Sequence, residues 1–161
     1  MTKKPFLTLA ACAALLLLGA APANATPDSP LQTEVDRLLA LTPGGTQVDE
    51  DTIVWDEGAV VVNVALDSGR ASRAIANCPT GYYCAWTAAG YLGTSIWLTS
   101  CSAGGTSSSL ASLGSAARSM ANARTSGTVK RMNGATVVDT LTASSGRSSV
   151  SGTTTAMVCF T

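Results

Sequence analysis

The sequence predicts a mostly β protein, with a β-sandwich or Greek-key barrel at the C-terminus preceded by a small α-β-β extension. Residues 77–161 hold short apolar runs separated by Gly, Ser and Thr, with no helical period, which is typical of an all-β domain. One amphipathic helical pattern stands near residue 30, ahead of two strand-like runs. We therefore divide the chain into a signal peptide (1–25), an acidic α-β-β extension (26–67), a linker (68–76) and a disulfide-stapled β domain (77–161).

The N-terminus has the three parts of a cleavable signal peptide. Lys3 and Lys4 precede an apolar run over residues 6–20, and Ala23-Asn24-Ala25 is a small-x-small cleavage site. An alternative is a lipoprotein signal, because Leu9-Ala10-Ala11-Cys12 resembles a lipobox. On the signal-peptide interpretation we expect a secreted, extracellular monomer of 136 residues, with no stable membrane insertion.

Charge divides the rest of the chain in two. Residues 26–67 carry nine acidic residues and one base, a net charge of −8, and residues 68–161 carry seven bases and one acid, a net charge of +6. Such asymmetry indicates two functional units. It is explained either by solubility and mutual attraction of the halves, or by an acidic segment that covers a basic binding face and is removed by cleavage around residues 71–77.

The extension begins with a predicted helix. Ser29 is a suitable N-cap, Pro30 suits the first helical position, and Gln32 stands where a capping box needs it. One apolar face is formed by Leu31, Val35, Leu38 and Leu39, and Pro43-Gly44-Gly45 ends the helix. Residues 52–55 and 59–66 then predict a hairpin that docks on the second unit, since so short a piece buries little alone.

Six strands are predicted in the second unit, and the Gly/Ser-rich stretch Ser102–Ser115 is one of the gaps between them. The predicted strands cover residues 82–86, 95–99, 117–122, 127–132, 135–141 and 153–160.

Four cysteines remain after removal of the signal peptide, which in an exported chain suggests two disulfides. Cys78 and Cys84 are close enough to close one turn, which would leave Cys101 for Cys159, although sequence alone permits three connectivities. A zinc site is the weaker alternative, because the chain has no CxxC pair.

Three stretches of the second unit carry a family resemblance. Cys78-Pro79-Thr80-Gly81-Tyr82-Tyr83-Cys84 resembles the C-P-x-G-x-x-C opening of the actinomycete secreted peptidase inhibitors, the family that includes the Streptomyces metalloproteinase inhibitor. Trp86, Tyr91 and Gly93 resemble the aromatic corner of a βγ-crystallin Greek key, the fold of the family. Residues 115–122 are similar to its A-R-S-F-A-N strand, with Met120 in the phenylalanine place.

The resemblance implies a secreted proteinaceous peptidase inhibitor, or a descendant of one, with a βγ-crystallin-like domain and an extracellular protease as partner. Trp86, Tyr91 and Gly93 are then structural residues, because the two rings pack over a folded hairpin at the glycine. The family's inhibitory loop cannot be transferred residue by residue, since this chain lacks a second closely spaced cysteine pair. Candidate loops are Ser102–Leu113 and Ser144–Thr153.

The main alternative is a binding or antimicrobial module acting on cell-wall or membrane-surface polymers through its bases and Tyr82, Tyr83 and Trp86. Scattered bases disfavour a nucleic-acid partner. An enzyme is disfavoured, because the chain has no histidine and the second unit has one acid, Asp139. We therefore expect no catalytic residue and no cofactor. We also expect no metal, since Leu113–Ser119 lacks the carboxylates that calcium needs.

Overall fold

The fold consists of one helix and two antiparallel β-sheets, seen in a computed structural model that describes residues 29–66 and 77–161. The predicted signal peptide, the linker 68–76 and the cleavage region lie outside these residues. Within the described ranges, no helix is long and apolar enough to cross a membrane. The predicted mostly β fold class is confirmed.

Helix α1 spans Pro30–Leu41 and begins where its capping residues predict. The Ser29 hydroxyl accepts a hydrogen bond from the Gln32 backbone N–H at 3.1 Å, which satisfies one of the free amides of the first turn. The Gln32 side chain does not complete a capping box, because its amide instead binds Asp36 and Gln47. The helix thereby contacts the first strand.

Eleven strands follow in the described residues, and three of them were not predicted from the sequence. Each unpredicted strand is short and polar: Thr46–Asp49, Thr106–Ser109 and Ser145–Arg147. In chain order the strands are β1 (Thr46–Asp49), β2 (Thr52–Trp55), β3 (Val60–Asn63), β4 (Tyr83–Ala88), β5 (Leu92–Leu98), β6 (Thr106–Ser109), β7 (Ser119–Asn122), β8 (Thr128–Asn133), β9 (Thr136–Thr142), β10 (Ser145–Arg147) and β11 (Ala156–Phe160).

Two Greek-key motifs make up the second unit, β4–β7 and β8–β11. The larger sheet has the order β1-β2-β3-β5-β4-β7-β10 and the smaller sheet has the order β6-β11-β8-β9. Each motif therefore has three strands in one sheet and one strand in the other. The strand that crosses over is the third in chain order, β6 in the first motif and β10 in the second. This exchange joins the two motifs into one sandwich, the βγ-crystallin-like arrangement that the resemblance implies.

The extension is continuous with this sandwich. Strand β3 pairs antiparallel with β5, with Val62 opposite Ile96. The extension is thus α-β-β-β rather than α-β-β, because β1 adds to the outer side of β2. Within the described residues the two ion pairs, Glu34–Arg37 and Asp139–Arg147, each lie inside one unit. Strand pairing and apolar packing, not ion pairing, attach the two units.

One apolar core runs through both units. Val35 and Leu38 of α1 and Ile53 and Val62 of the hairpin belong to the same cluster of buried residues as Leu113 of the second unit. The helix lies close above Gly114, where an added Cβ would collide with Leu38 and Arg37. The rest of the cluster fills the space between the two sheets, and includes Tyr83, Ile96, Leu98, Met120, Val129, Leu141 and Met157.

The four described cysteines lie at disulfide distance in two pairs. Cys78 and Cys84, with Cα atoms 5.8 Å apart, close the turn before β4. Cys101 and Cys159, with Cα atoms 4.8 Å apart, are separated by 58 residues in sequence. The second pair ties the start of the β6 segment to the end of β11.

Leu38→Ala should destabilise the whole protein. Leu38 is fully buried in the shared core, so we expect a loss of about 2–5 kcal/mol in the free energy of unfolding. Urea unfolding followed by tryptophan fluorescence measures it. Leu41→Ala is the control, since Leu41 is 56% exposed, and should change stability by less than about 0.5 kcal/mol. Two separate transitions, with only the weaker one shifted, would contradict a shared core.

Loss of the long-range disulfide should cost more stability than loss of the short one. By the chain-entropy estimate, a loop of this length is worth about 4 kcal/mol and the seven-residue loop about 2 kcal/mol. The two losses of stability are compared by thermal unfolding of two double variants, Cys101→Ala/Cys159→Ala and Cys78→Ala/Cys84→Ala. A larger loss for the Cys78–Cys84 pair would contradict the estimate.

Candidate functional site

The aromatic corner is built as a structural feature. The Trp86 and Tyr91 rings meet edge to face, with centroids 5.2 Å apart, a favoured geometry for aromatic pairs. Gly93 has φ +77°, and a Cβ there would collide with Thr87. The buried Ser119 hydroxyl accepts from the Tyr91 N–H at 3.0 Å and donates to the Ala88 carbonyl at 2.7 Å. The corner folds the β4–β5 hairpin.

Two of the three aromatic residues proposed for polymer binding are buried. Tyr83 faces the core, and its hydroxyl contacts the Ser100 carbonyl at 3.1 Å and the Ser108 hydroxyl at 2.8 Å. Burial raises the pKa of Tyr83. Trp86 is 2% exposed, because Tyr91 and the Cys78–Cys84 segment pack around it. Neither side chain can therefore contact a polymer, a correction to the sequence interpretation.

Most described bases of the second unit have structural partners. Arg124 donates to the carbonyls of Gly81 and Thr99, both at 3.3 Å. Arg147 pairs with Asp139 at 3.0 Å, and the Lys130 ammonium lies 4.5 Å from the centroid of the Phe160 ring. These bases stabilise turns and strand ends rather than form one basic face.

The first candidate loop, Ser102–Leu113, is largely ordered secondary structure. It begins with an exposed tight turn over residues 102–105, closed by a hydrogen bond from the Gly105 N–H to the Ser102 carbonyl at 3.1 Å. Strand β6 follows and pairs with β11. A short 3-10 helix, Ala111–Leu113, then places Leu113 in the core. The stretch is neither a flexible linker nor an extended loop.

The second candidate loop, Ser144–Thr153, begins with β10 and then leaves the sheet. Val150 is buried, and its N–H donates to the Arg118 carbonyl at 2.8 Å. Ser151, Gly152 and Thr153 are exposed and lie outside regular secondary structure. At the far end, the Thr155 N–H donates to the Met132 carbonyl at 2.9 Å. The three exposed residues are thus anchored on both sides, and we call them the 151–153 loop.

Arg131 supports the 151–153 loop from inside. Its guanidinium donates to the Ser151 carbonyl at 2.8 Å and to the Thr154 hydroxyl at 3.3 Å. The side chain is 9% exposed, and Arg131 forms no ion pair with any residue in the described ranges. A buried charge is costly unless hydrogen bonds compensate it. The Ser151 carbonyl and the Thr154 hydroxyl compensate one nitrogen of the guanidinium, while its Nε is buried without a partner. These two bonds tie the arginine to the loop.

A groove lies directly beside this loop, and we call it the Leu41 groove. It has a volume of about 530 Å³ and combines the end of α1 with parts of both candidate loops. The Leu110 N–H donates to the Thr155 carbonyl at 3.1 Å, which joins two of the segments that line the groove. The lining residues are Leu41, Ser109, Leu110, Ala111, Gly114, Ser115, Ala116, Thr153, Thr154 and Thr155.

Arg131 and Leu41 were not singled out from the sequence. In the sequence Arg131 is one of several scattered bases. It stands two residues after Val129 on β8, however, so both side chains lie on the same, buried face of the strand. An arginine at an inward position needs buried acceptors, and that was the available signal. For Leu41 no sequence signal exists, because its neighbours come from distant parts of the chain.

Comparison with known protein families finds a match that covers most of the second unit. Residues 71–141 match the model of peptidase inhibitor family I36, the family of the Streptomyces metalloproteinase inhibitor, and the predicted resemblance is confirmed. The match includes the Ser102–Leu113 segment and ends before the 151–153 loop. No curated protein and no solved structure matches this chain.

Arg131→Met should loosen the 151–153 loop without unfolding the protein. The Ser151 carbonyl loses its donor, so we expect amide hydrogen exchange at Val150 and Thr155, whose hydrogen-bonded N–H groups flank the loop, to accelerate about tenfold or more, as local opening becomes easier. NMR-detected exchange measures this, with Arg118→Met, at an exposed arginine, as the matched control. Unchanged exchange in the Arg131 variant would show that the guanidinium does not hold the loop.

Proposed function

We propose that this chain, whose residues 71–141 match peptidase inhibitor family I36, is a secreted inhibitor that presents the 151–153 loop to an extracellular protease. The observation that carries the proposal is the buried Arg131 guanidinium bonded to the Ser151 carbonyl. An inhibitor needs a backbone segment that enters a protease cleft already in its bound shape.

Rigidity is the physical basis of this proposal. Binding a flexible segment costs about 0.5–1.5 kcal/mol for each side chain that must be ordered, and a preorganised loop avoids that cost. The 151–153 loop is fixed by Arg131 beneath it and by the backbone hydrogen bonds of Val150 and Thr155. Its residues are small, so the loop backbone can approach a cleft closely.

The turn over residues 102–105 is less suited to this role. Its internal hydrogen bond closes it into a tight turn, whereas a protease cleft takes an extended chain, in the manner of strand addition. The 151–153 loop lies between β10 and β11 and bends at Gly152, where φ is +74°, but no hydrogen bond between its own residues closes it. Because Arg131 also supports it from beneath, we prefer it for insertion into a cleft.

The polymer-binding alternative loses support from the same structure. Tyr83 and Trp86 are buried, and Arg124, Arg131 and Arg147 are engaged with carbonyls or with Asp139. A surface that recognises anionic polymers needs accessible bases and rings. We therefore favour the inhibitor.

Inhibition of a protease panel tests the proposal. The purified chain from residue 26, with disulfides intact, would be assayed against a thermolysin-like metalloprotease, a subtilisin, a trypsin and a papain. We expect stoichiometric inhibition of at least one enzyme. Thr153→Glu should then raise the inhibition constant about tenfold or more, because it places a charge in the contact.

Ala103→Glu is the matched control, since it adds the same charge to the exposed turn of the other candidate loop. We expect it to change the inhibition constant less than twofold. The opposite ranking of the two variants would transfer the inhibitory role to the turn over residues 102–105. No inhibition of any enzyme by the unsubstituted chain would contradict the inhibitor proposal itself.

A further inference from the structure

The Leu41 groove stands next to the proposed inhibitory loop and shares a residue with it. Thr153 ends the 151–153 loop and also lines the groove, as does Leu41 of α1. Leu41 is 56% exposed, one of the most exposed large apolar side chains in the described residues. None of the ten lining residues is charged, although the extension as a whole is strongly acidic.

The loop alone is too small to hold a protease. A specific protein–protein interface buries about 800 Å² on each partner. Ser151, Gly152 and Thr153 are three small residues, so most of the contact must come from surfaces beside them. The groove is continuous with the loop through Thr153, and an enzyme seated on the loop would cover it.

We infer that the Leu41 groove is a second contact surface for the protease that takes the 151–153 loop, and that it receives an uncharged, apolar side chain from the rim of that enzyme's cleft. The inference rests on the proposed function. The walls of the groove consist of Leu41, the methyl groups of alanine and threonine, and a few hydroxyls. A charged side chain would therefore be desolvated there without a counter-ion.

This role would give the N-terminal extension a part in recognition. Of the ten residues that line the groove, Leu41 is the one that belongs to the extension. Helix α1 is fixed in place because Val35 and Leu38 are buried in the shared core. The extension would then set which proteases are inhibited, through one exposed leucine next to a loop that the second unit provides.

Leu41→Asp tests the inference on the complete chain, with the protease that the unsubstituted protein inhibits. We expect the inhibition constant to rise about tenfold or more, the loss expected when a buried leucine contact is replaced by a desolvated charge. Val48→Asp is the matched control: Val48 is 59% exposed, belongs to the same extension and does not line the groove. It should leave the constant within twofold.

Two further measurements separate the outcomes. Leu41→Met should retain inhibition, and an unchanged melting temperature of Leu41→Asp should show that the fold is intact. Inhibition by the unsubstituted chain together with equal constants for Leu41→Asp and Val48→Asp would overturn the inference and leave the proposed function standing. Failure of the unsubstituted chain to inhibit any enzyme of the panel would overturn both.

Discussion

The pairing of β3 with β5 is the contact on which the arrangement of this protein depends. Without β3, strand β5 would be an edge of the larger sheet, with unpaired backbone groups open to other chains. The pairing also sets the position of α1, because the helix is joined to the same hairpin and packs on Leu113 and Gly114. One set of strand hydrogen bonds thus protects an edge, extends the core and brings Leu41 beside the 151–153 loop.

The second constraint is the exchange of third strands between the two sheets. Strand β6 belongs by sequence to the first motif and β10 to the second, yet each pairs in the other motif's sheet. Neither sheet is therefore complete without the other half of the domain. The exchange explains how a Ser/Thr-rich segment such as β6 can form a strand without apolar residues of its own. Strand β6 is positioned by its pairing with β11 and by the nearby Cys101–Cys159 pair.

The candidate site shows how a charged residue can be used structurally in a small domain. Arg131 occupies an inward position between the sheets, where a neutral side chain would be the ordinary choice. Its hydrogen bonds go to the Ser151 carbonyl and to Thr154, both on the segment that enters β11. The part of the cost of burying the guanidinium that these two bonds offset is recovered only while that segment keeps its shape, since the buried Nε has no partner. This coupling is the reason we regard the loop as preorganised.

The sequence by itself determined the elements that carry local or short-range signals. The start of the helix after Ser29 follows from local capping chemistry, and eight of the eleven strands in the described residues follow from short apolar runs. The Trp86–Tyr91–Gly93 corner is readable from three fixed positions. Only the tertiary structure decided the rest. Strands β1, β6 and β10 lack an apolar pattern and exist because a neighbour supplies their hydrogen bonds. Leu41, Arg131 and the 151–153 loop meet through contacts between distant residues, which no local pattern encodes.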